Sequence, residues 1–205
     1  MTDGEELSLV KQMSDDTLEY LSRLPSEAQA RLDEYLDSFD KSFPAWGDAF
    51  NRGRAEVIPF ALLDAPVMLY AAGFSGSAIM EIYSVLEQIS LRFLLRILFG
   101  DDELANYKIK NVEPTFRKMY LTDYSRLLFE LDELSEESNS YANDLRLLRN
   151  AIAHKNADKV SNLLYSGRKL SLFDVDTVIG EELDCIPHLI NATKYLLELS
   201  AGGFE

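Results

Sequence analysis

Along this chain the apolar residues recur at three- and four-residue spacing, and no run alternates with a period of two over strand length. The pattern predicts helices and an all-α class. Residues 5–23 read as a first helix, broken by Pro25. Ser26-Glu27-Ala28-Gln29 then fits a capping box that opens a second helix, running to about Ser42. Pro44, Trp46, Gly47 and Gly53 mark 43–57 as a connector, and Phe60–Ala72 reads as a helix started near Pro59 and ended by Gly73.

The most informative stretch begins at Ser75-Gly76-Ser77, plausible N-cap residues, and runs to Phe99 with Gly100 as its stop. On a helical wheel Glu81, Ser84, Gln88, Arg92 and Arg96 form one narrow polar stripe, and most of the remaining surface is apolar. Such a helix is packed on several sides. Glu87 falls off the stripe among apolar neighbours, so its carboxylate requires a partner.

Helical patterning resumes after an irregular 101–114, reaches about Leu134 in one or two pieces, and breaks at Leu134–Ser138. A helix from near Ser138 to Asn156 follows. A short helix over 157–165, a turn at Ser166-Gly167 and a small extended piece over 168–175 precede a last helix. That helix spans roughly Asp176–Ser200, with Pro187 as a kink. Residues 1–74 thus form an N-terminal helical extension, and 75–205 form the main helical domain.

In the helix of 138–156, Tyr141, Leu145, Leu148 and Ile152 share one stripe, which faces the core. Asn143, Leu147, Asn150 and His154 make a second stripe nearly opposite, with Arg149 between the two. An apolar Leu147 on an otherwise polar face implies that this face meets something.

Charge sharpens the picture. The chain carries −15 overall, which opposes broad, non-specific nucleic-acid binding. Between Tyr141 and Leu170, however, Arg146, Arg149, Lys155, Lys159, Arg168 and Lys169 face only Asp144 and Asp158, a local +4. With 47% hydrophobic and 27% charged residues the composition is that of a globular protein. Cys185 is the single cysteine, so no intramolecular disulfide forms and a reducing cytoplasm is the natural setting. The acidic start, Met1–Glu6, does not read as a signal peptide. Neither apolar segment reads as a membrane span: 58–74 is short and interrupted by Pro59, Asp64 and Pro66, and 77–99 carries five charged or amide side chains.

Arg149-Asn150-Ala151-Ile152-Ala153-His154 resembles the signature of the HEPN family (higher eukaryotes and prokaryotes nucleotide-binding): an Arg, a polar residue often Asn, then a His a few positions on, within a helix. The apolar 77–99 helix with an acidic residue in its middle is similar to the family's other core helix, so the resemblance covers about 75–200. It implies a HEPN-type up-and-down bundle and metal-independent endoribonuclease activity with Arg149, Asn150 and His154 as catalytic residues and no cofactor. It also implies a homodimer in which two such helices form one cleft, with Asn143 and Leu147 on the dimer face, and a toxin or defence role with an antitoxin or regulatory protein as partner. Family toxins often carry a Tyr two positions after the His, where some are silenced by nucleotidylation; this chain has Asn156 there, which puts that regulation in doubt.

The chemistry suits the residue types. His moves protons near neutral pH, while Arg stays cationic and offers paired donors to phosphate oxygens. Glu87 is a candidate to orient Arg149, and Arg146, Lys155 and Lys159 are candidates to guide an RNA backbone. Blander roles exist for the same residues: His154 as a helix C-terminal histidine, Arg149 as a structural partner for Glu87, and the whole surface as a non-catalytic module for a nucleotide or a protein. Cys185-x-x-His188 has metal-like spacing but no second pair, so no metal site is assigned and His188 reads as a satisfied core or edge residue. Gly73–Ser77 matches no phosphate-binding fingerprint, and Asp132, Glu133, Glu136 and Glu137 read as a solvated loop.

Overall fold

A computed structural model describes residues 25–43, 58–100, 114, 116, 118–154 and 184–202. Among them lie six helices: α1 (Ser26–Ser42), α2 (Ile58–Ala71), α3 (Ser75–Phe99), α4 (Leu121–Glu130), α5 (Glu136–Ala153) and α6 (Ile186–Gly202). The described residues contain no strand, and the architecture is an all-α helical bundle.

Helix α3 is the centre of it. It packs against α2, α4, α5 and α6, as its nearly all-round apolar surface requires. Ile79, Ile82, Leu86, Leu94 and Leu95 are sealed from solvent, while Gln88, Arg92 and Arg96 of the polar stripe are exposed. One continuous core joins these residues to Tyr35 and Phe39 of α1, Leu63 and Val67 of α2, Leu128 of α4, Leu145 of α5 and Tyr195 of α6. The described part of the N-terminal segment therefore shares its core with the helices after Ser75. The helix predicted over 5–23 and the elements over 157–175 lie outside the described residues, as does the connector from Pro44 onward.

Short connections fold neighbours back on each other. α2 ends in a Schellman motif: the Phe74 N–H donates to the Leu69 carbonyl at 2.8 Å and the Gly73 N–H to Tyr70 at 2.9 Å. Gly73 sits at φ +87°, a conformation that strains any residue with a side chain, and a Cβ there would also push the Arg31 guanidinium aside. Gly100, at φ +81°, stops α3 in the place expected.

Helix starts depart from expectation in instructive ways. Ser26 is not the N-cap that its capping-box pattern suggests; Pro25 takes that position, and its carbonyl accepts from Ala28 and Gln29 at 2.9 and 3.1 Å. Proline suits that boundary, since it has no N–H to leave unpaired and its φ is already fixed. α5 starts earlier than predicted because Ser135 caps it, its Oγ accepting from the Ser138 N–H at 3.2 Å. Glu136 and Glu137 of the supposed acidic loop are thereby in the first turn of α5, where negative charge is favoured. Ser135 also donates twice to Glu198 of α6, from its N–H at 2.8 Å and its hydroxyl at 2.9 Å.

Pro187 is not a kink. Asp184 and Cys185 are non-helical and α6 opens at Ile186, whose N–H is taken by the Asp184 carboxylate at 3.1 Å. Pro187 thus lies in a first turn, where its missing N–H costs nothing. No helix of the described residues is long and apolar enough to cross a membrane.

Inside the core, Ser90 of α3 and Tyr195 of α6 share a buried hydrogen bond of 2.8 Å. Tyr195→Phe leaves the fully buried Ser90 hydroxyl unpaired and is expected to cost about 1–3 kcal/mol in equilibrium urea unfolding. Adding Ser90→Ala should recover part of that loss, because neither polar group then remains alone; a double variant less stable than Tyr195→Phe contradicts the account.

Candidate functional site

Helix α5 presents the two faces that its spacing predicts. Tyr141, Leu145 and Leu148 are buried and Ile152 is half-buried. Asn143, Leu147 and His154 are exposed, Asn150 is half-buried, and Arg149 sits half-buried between the two faces. At 39% exposure Leu147 is solvent-facing and not part of the core.

Arg149 is fixed by two neighbours. Its Nη1 donates to Asn150 Oδ1 at 3.0 Å, and its Cζ lies over the Tyr83 ring, 5.3 Å from the centroid. That separation is within the range of a cation–π attraction. The Tyr83 hydroxyl, one turn along α3, donates to Glu87 Oε1 at 3.0 Å. The same oxygen accepts the backbone N–H of Leu121 at 3.2 Å, the first residue of α4. Glu87 thereby satisfies a free donor at a helix N-terminus, where a carboxylate is favoured by the helix dipole.

The partner that Glu87 requires is therefore Tyr83 together with the α4 backbone. No Arg149–Glu87 ion pair is among the contacts of the described residues; the two charges are joined through Tyr83. Burial, reinforced by the Glu87 charge and hydrogen bond, pushes the Tyr83 hydroxyl up to about 12 against an opposing pull from Arg149. At neutral pH it stays a protonated donor to Glu87. Tyr83 was not selected from sequence. Its signal was the four-residue spacing to Glu87, which places the two on one helix face.

His154 is the C-cap of α5, its N–H bonded to the Asn150 carbonyl at 3.1 Å. It is exposed, and it follows Asn150 by one turn on the same face. Arg146, one turn before Asn150, donates from Nη2 to Asn143 Oδ1 at 3.3 Å. Its Nε is enclosed and has no hydrogen-bond partner. Arg149, Asn150 and Glu87 are thus brought together through Tyr83, Arg146 and Asn143 form a neighbouring pair, and His154 stands at the open end of the helix. Lys155 and Lys159 lie outside the described residues.

At the Cys185-x-x-His188 spacing the structure has a buried thiol and a half-buried imidazole. Cys185 is buried, and burial followed by the nearby Asp184 pushes its thiol up to about 12, so it is no thiolate at neutral pH. Among the described residues no cluster of three or more potential ligands occurs. His188 is half-buried with its ring against Tyr141, the centroids 6.2 Å apart, while the Tyr141 hydroxyl donates to the His188 carbonyl at 2.8 Å. The ring is not satisfied as expected: among the described contacts its enclosed Nδ1 has no hydrogen-bond partner.

No protein-family model matches this chain, and comparisons with curated proteins and with solved structures likewise find no match.

Burial holds His188 below its ordinary value, outweighing the opposing charges of Asp184 and Asp144. Once unfolded, the imidazole takes up a proton near pH 6.5, whereas the folded ring resists it until lower pH. The unfolded chain then binds more protons, so this contribution to stability is intact above about pH 6.5 and is lost as pH falls below it. Urea midpoints should drop more steeply between about pH 7.5 and 5.5 for the wild type than for His188→Gln, which cannot titrate. Parallel profiles for the two proteins exclude His188 as the source.

Proposed function

We propose that the chain is a HEPN-type endoribonuclease that cuts RNA without a metal, through attack of the 2′-hydroxyl on the adjacent phosphorus. The observation that carries this reading is the disposition of polar groups at the end of α5. Arg149 is held in place by Tyr83 and Asn150, and an exposed histidine follows Asn150 on the same face one turn later. A positioned guanidinium and a mobile proton carrier are what this reaction asks of a protein.

In the reaction the 2′-oxygen loses its proton to a base and bonds to phosphorus, and the bond to the 5′-oxygen breaks as that oxygen gains a proton. The products are a 2′,3′-cyclic phosphate and a 5′-hydroxyl. His154 carries one of the two protons. In the homodimer that we propose, with Asn143 and Leu147 at its face, the second copy of His154 is available for the other. Arg149 offsets the extra charge on the non-bridging oxygens, and Asn150 holds either the guanidinium or the phosphate. Arg146, Lys155 and Lys159 attract the RNA backbone within an otherwise acidic chain, so binding weakens with salt. A cytoplasmic toxin or defence effector, restrained by an antitoxin or regulatory protein, is the biological role in keeping with this chemistry.

Cleavage of mixed RNAs in EDTA should fall by roughly 100-fold or more in both Arg149→Ala and His154→Ala, with helical content unchanged. The cyclic-phosphate end identifies the route. Undiminished cutting in both variants rules the site out, and a folded wild type that cuts no RNA favours a non-catalytic module that uses the same surface to bind a nucleotide or a protein.

Sedimentation at micromolar concentration is expected to give a dimer, and Leu147→Glu a folded monomer, since Leu147 is exposed and lies outside the core. A wild-type monomer sinks the two-histidine cleft.

A further inference from the structure

An arginine that must present its donors to an anion poses a problem of support. A carboxylate in direct contact orients the guanidinium, but it occupies the N–H fork and cancels the charge. The surroundings of Arg149 solve this differently. The carboxylate nearest in the network, Glu87, is spent on the Tyr83 hydroxyl and the Leu121 N–H. The Tyr83 ring, not a carboxylate, meets the cation. A ring attracts a guanidinium through its π face and leaves the N–H groups unoccupied. Of the five N–H donors of the side chain, the described contacts engage one, from Nη1 to Asn150.

The ring is itself held at both ends. Tyr83 is 6% exposed, carried on the central helix, and pinned at its hydroxyl. Donation to a carboxylate draws electron density onto the phenol oxygen and into the ring, which strengthens the attraction for a cation. Leu121, Glu87, Tyr83, Arg149 and Asn150 form one string from the start of α4 to the last turn of α5.

We infer that Tyr83 is a positioning residue for Arg149, holding the guanidinium by its ring face so that the in-plane donors stay available for phosphate oxygens. This rests on the reading of Arg149 as the phosphate-binding group, and the test separates the two ideas.

The first measurement needs no activity. In 15N-labelled full-length protein, the Arg149 Nε–H resonance is identified by its disappearance in Arg149→Lys. It should be displaced from the free-arginine position by the Tyr83 ring current, remain displaced in Tyr83→Phe, and return in Tyr83→Leu. An Arg149 resonance at the free-arginine position in the wild type overturns the proposal, even where Tyr83→Leu does not fold.

The second measurement is cleavage of a fluorophore–quencher oligoribonucleotide in EDTA. Tyr83→Leu should lower kcat on the order of 100-fold with KM nearly unchanged, as misplacing a group that acts in the transition state does. Tyr83→Phe, which keeps the ring, should rescue most of the rate. Equal losses in the two variants assign the effect to the hydroxyl and overturn the ring's role, as does a fall in Tyr83→Leu confined to KM. A wild type without cleavage removes the ribonuclease reading, and the resonance then decides on Tyr83 alone.

Discussion

A 25-residue helix that is apolar on nearly every side cannot rest on a surface; the rest of the chain has to be wound around it. α3 imposes that constraint, and α2, α4, α5 and α6 answer it. The same enclosure makes a polar group on the covered sides of α3 expensive unless paired. Ser90 is paired across the core with Tyr195, and Glu87 with the first N–H of α4. The start of α4 is thus held both by its own Asp123, which accepts the Tyr120 N–H, and by a carboxylate on the central helix.

The candidate site follows from this arrangement. α5 lies in the groove beside α3 and α4, so its buried stripe is committed to the core and its opposite stripe is left to solvent. Arg149, at the boundary, reaches back to α3 and finds Tyr83. His154 ends the helix and faces outward. The central helix thus supports Arg149, while the exposed edge of α5 carries His154, so both groups are placed by helices and not by loops.

Much of this was legible in the residues. Periodicity located the helices, Gly73 and Gly100 closed two of them, and the wheel of α5 separated Leu145 and Leu148 from Asn143, Leu147 and His154. Helix starts were less legible. Pro25 displaced Ser26 as a cap, Ser135 drew α5 forward, and Asp184 set α6 to open just before Pro187. Several residue types can satisfy the same free N–H groups, and which one arrives first depends on the chain on both sides.

By itself, then, the sequence determined the all-α class, the central helix, the two faces of α5 and the requirement that Glu87 be partnered. Each is a matter of period or of desolvation, which act within one helix. Only the tertiary structure decided who the partners are. The pairing of Glu87 with Leu121 in place of Arg149, the Tyr83 ring under the guanidinium, and the His188 ring against Tyr141 all join residues far apart in the chain. No local pattern encodes such contacts, because they exist only once α3, α4, α5 and α6 have packed.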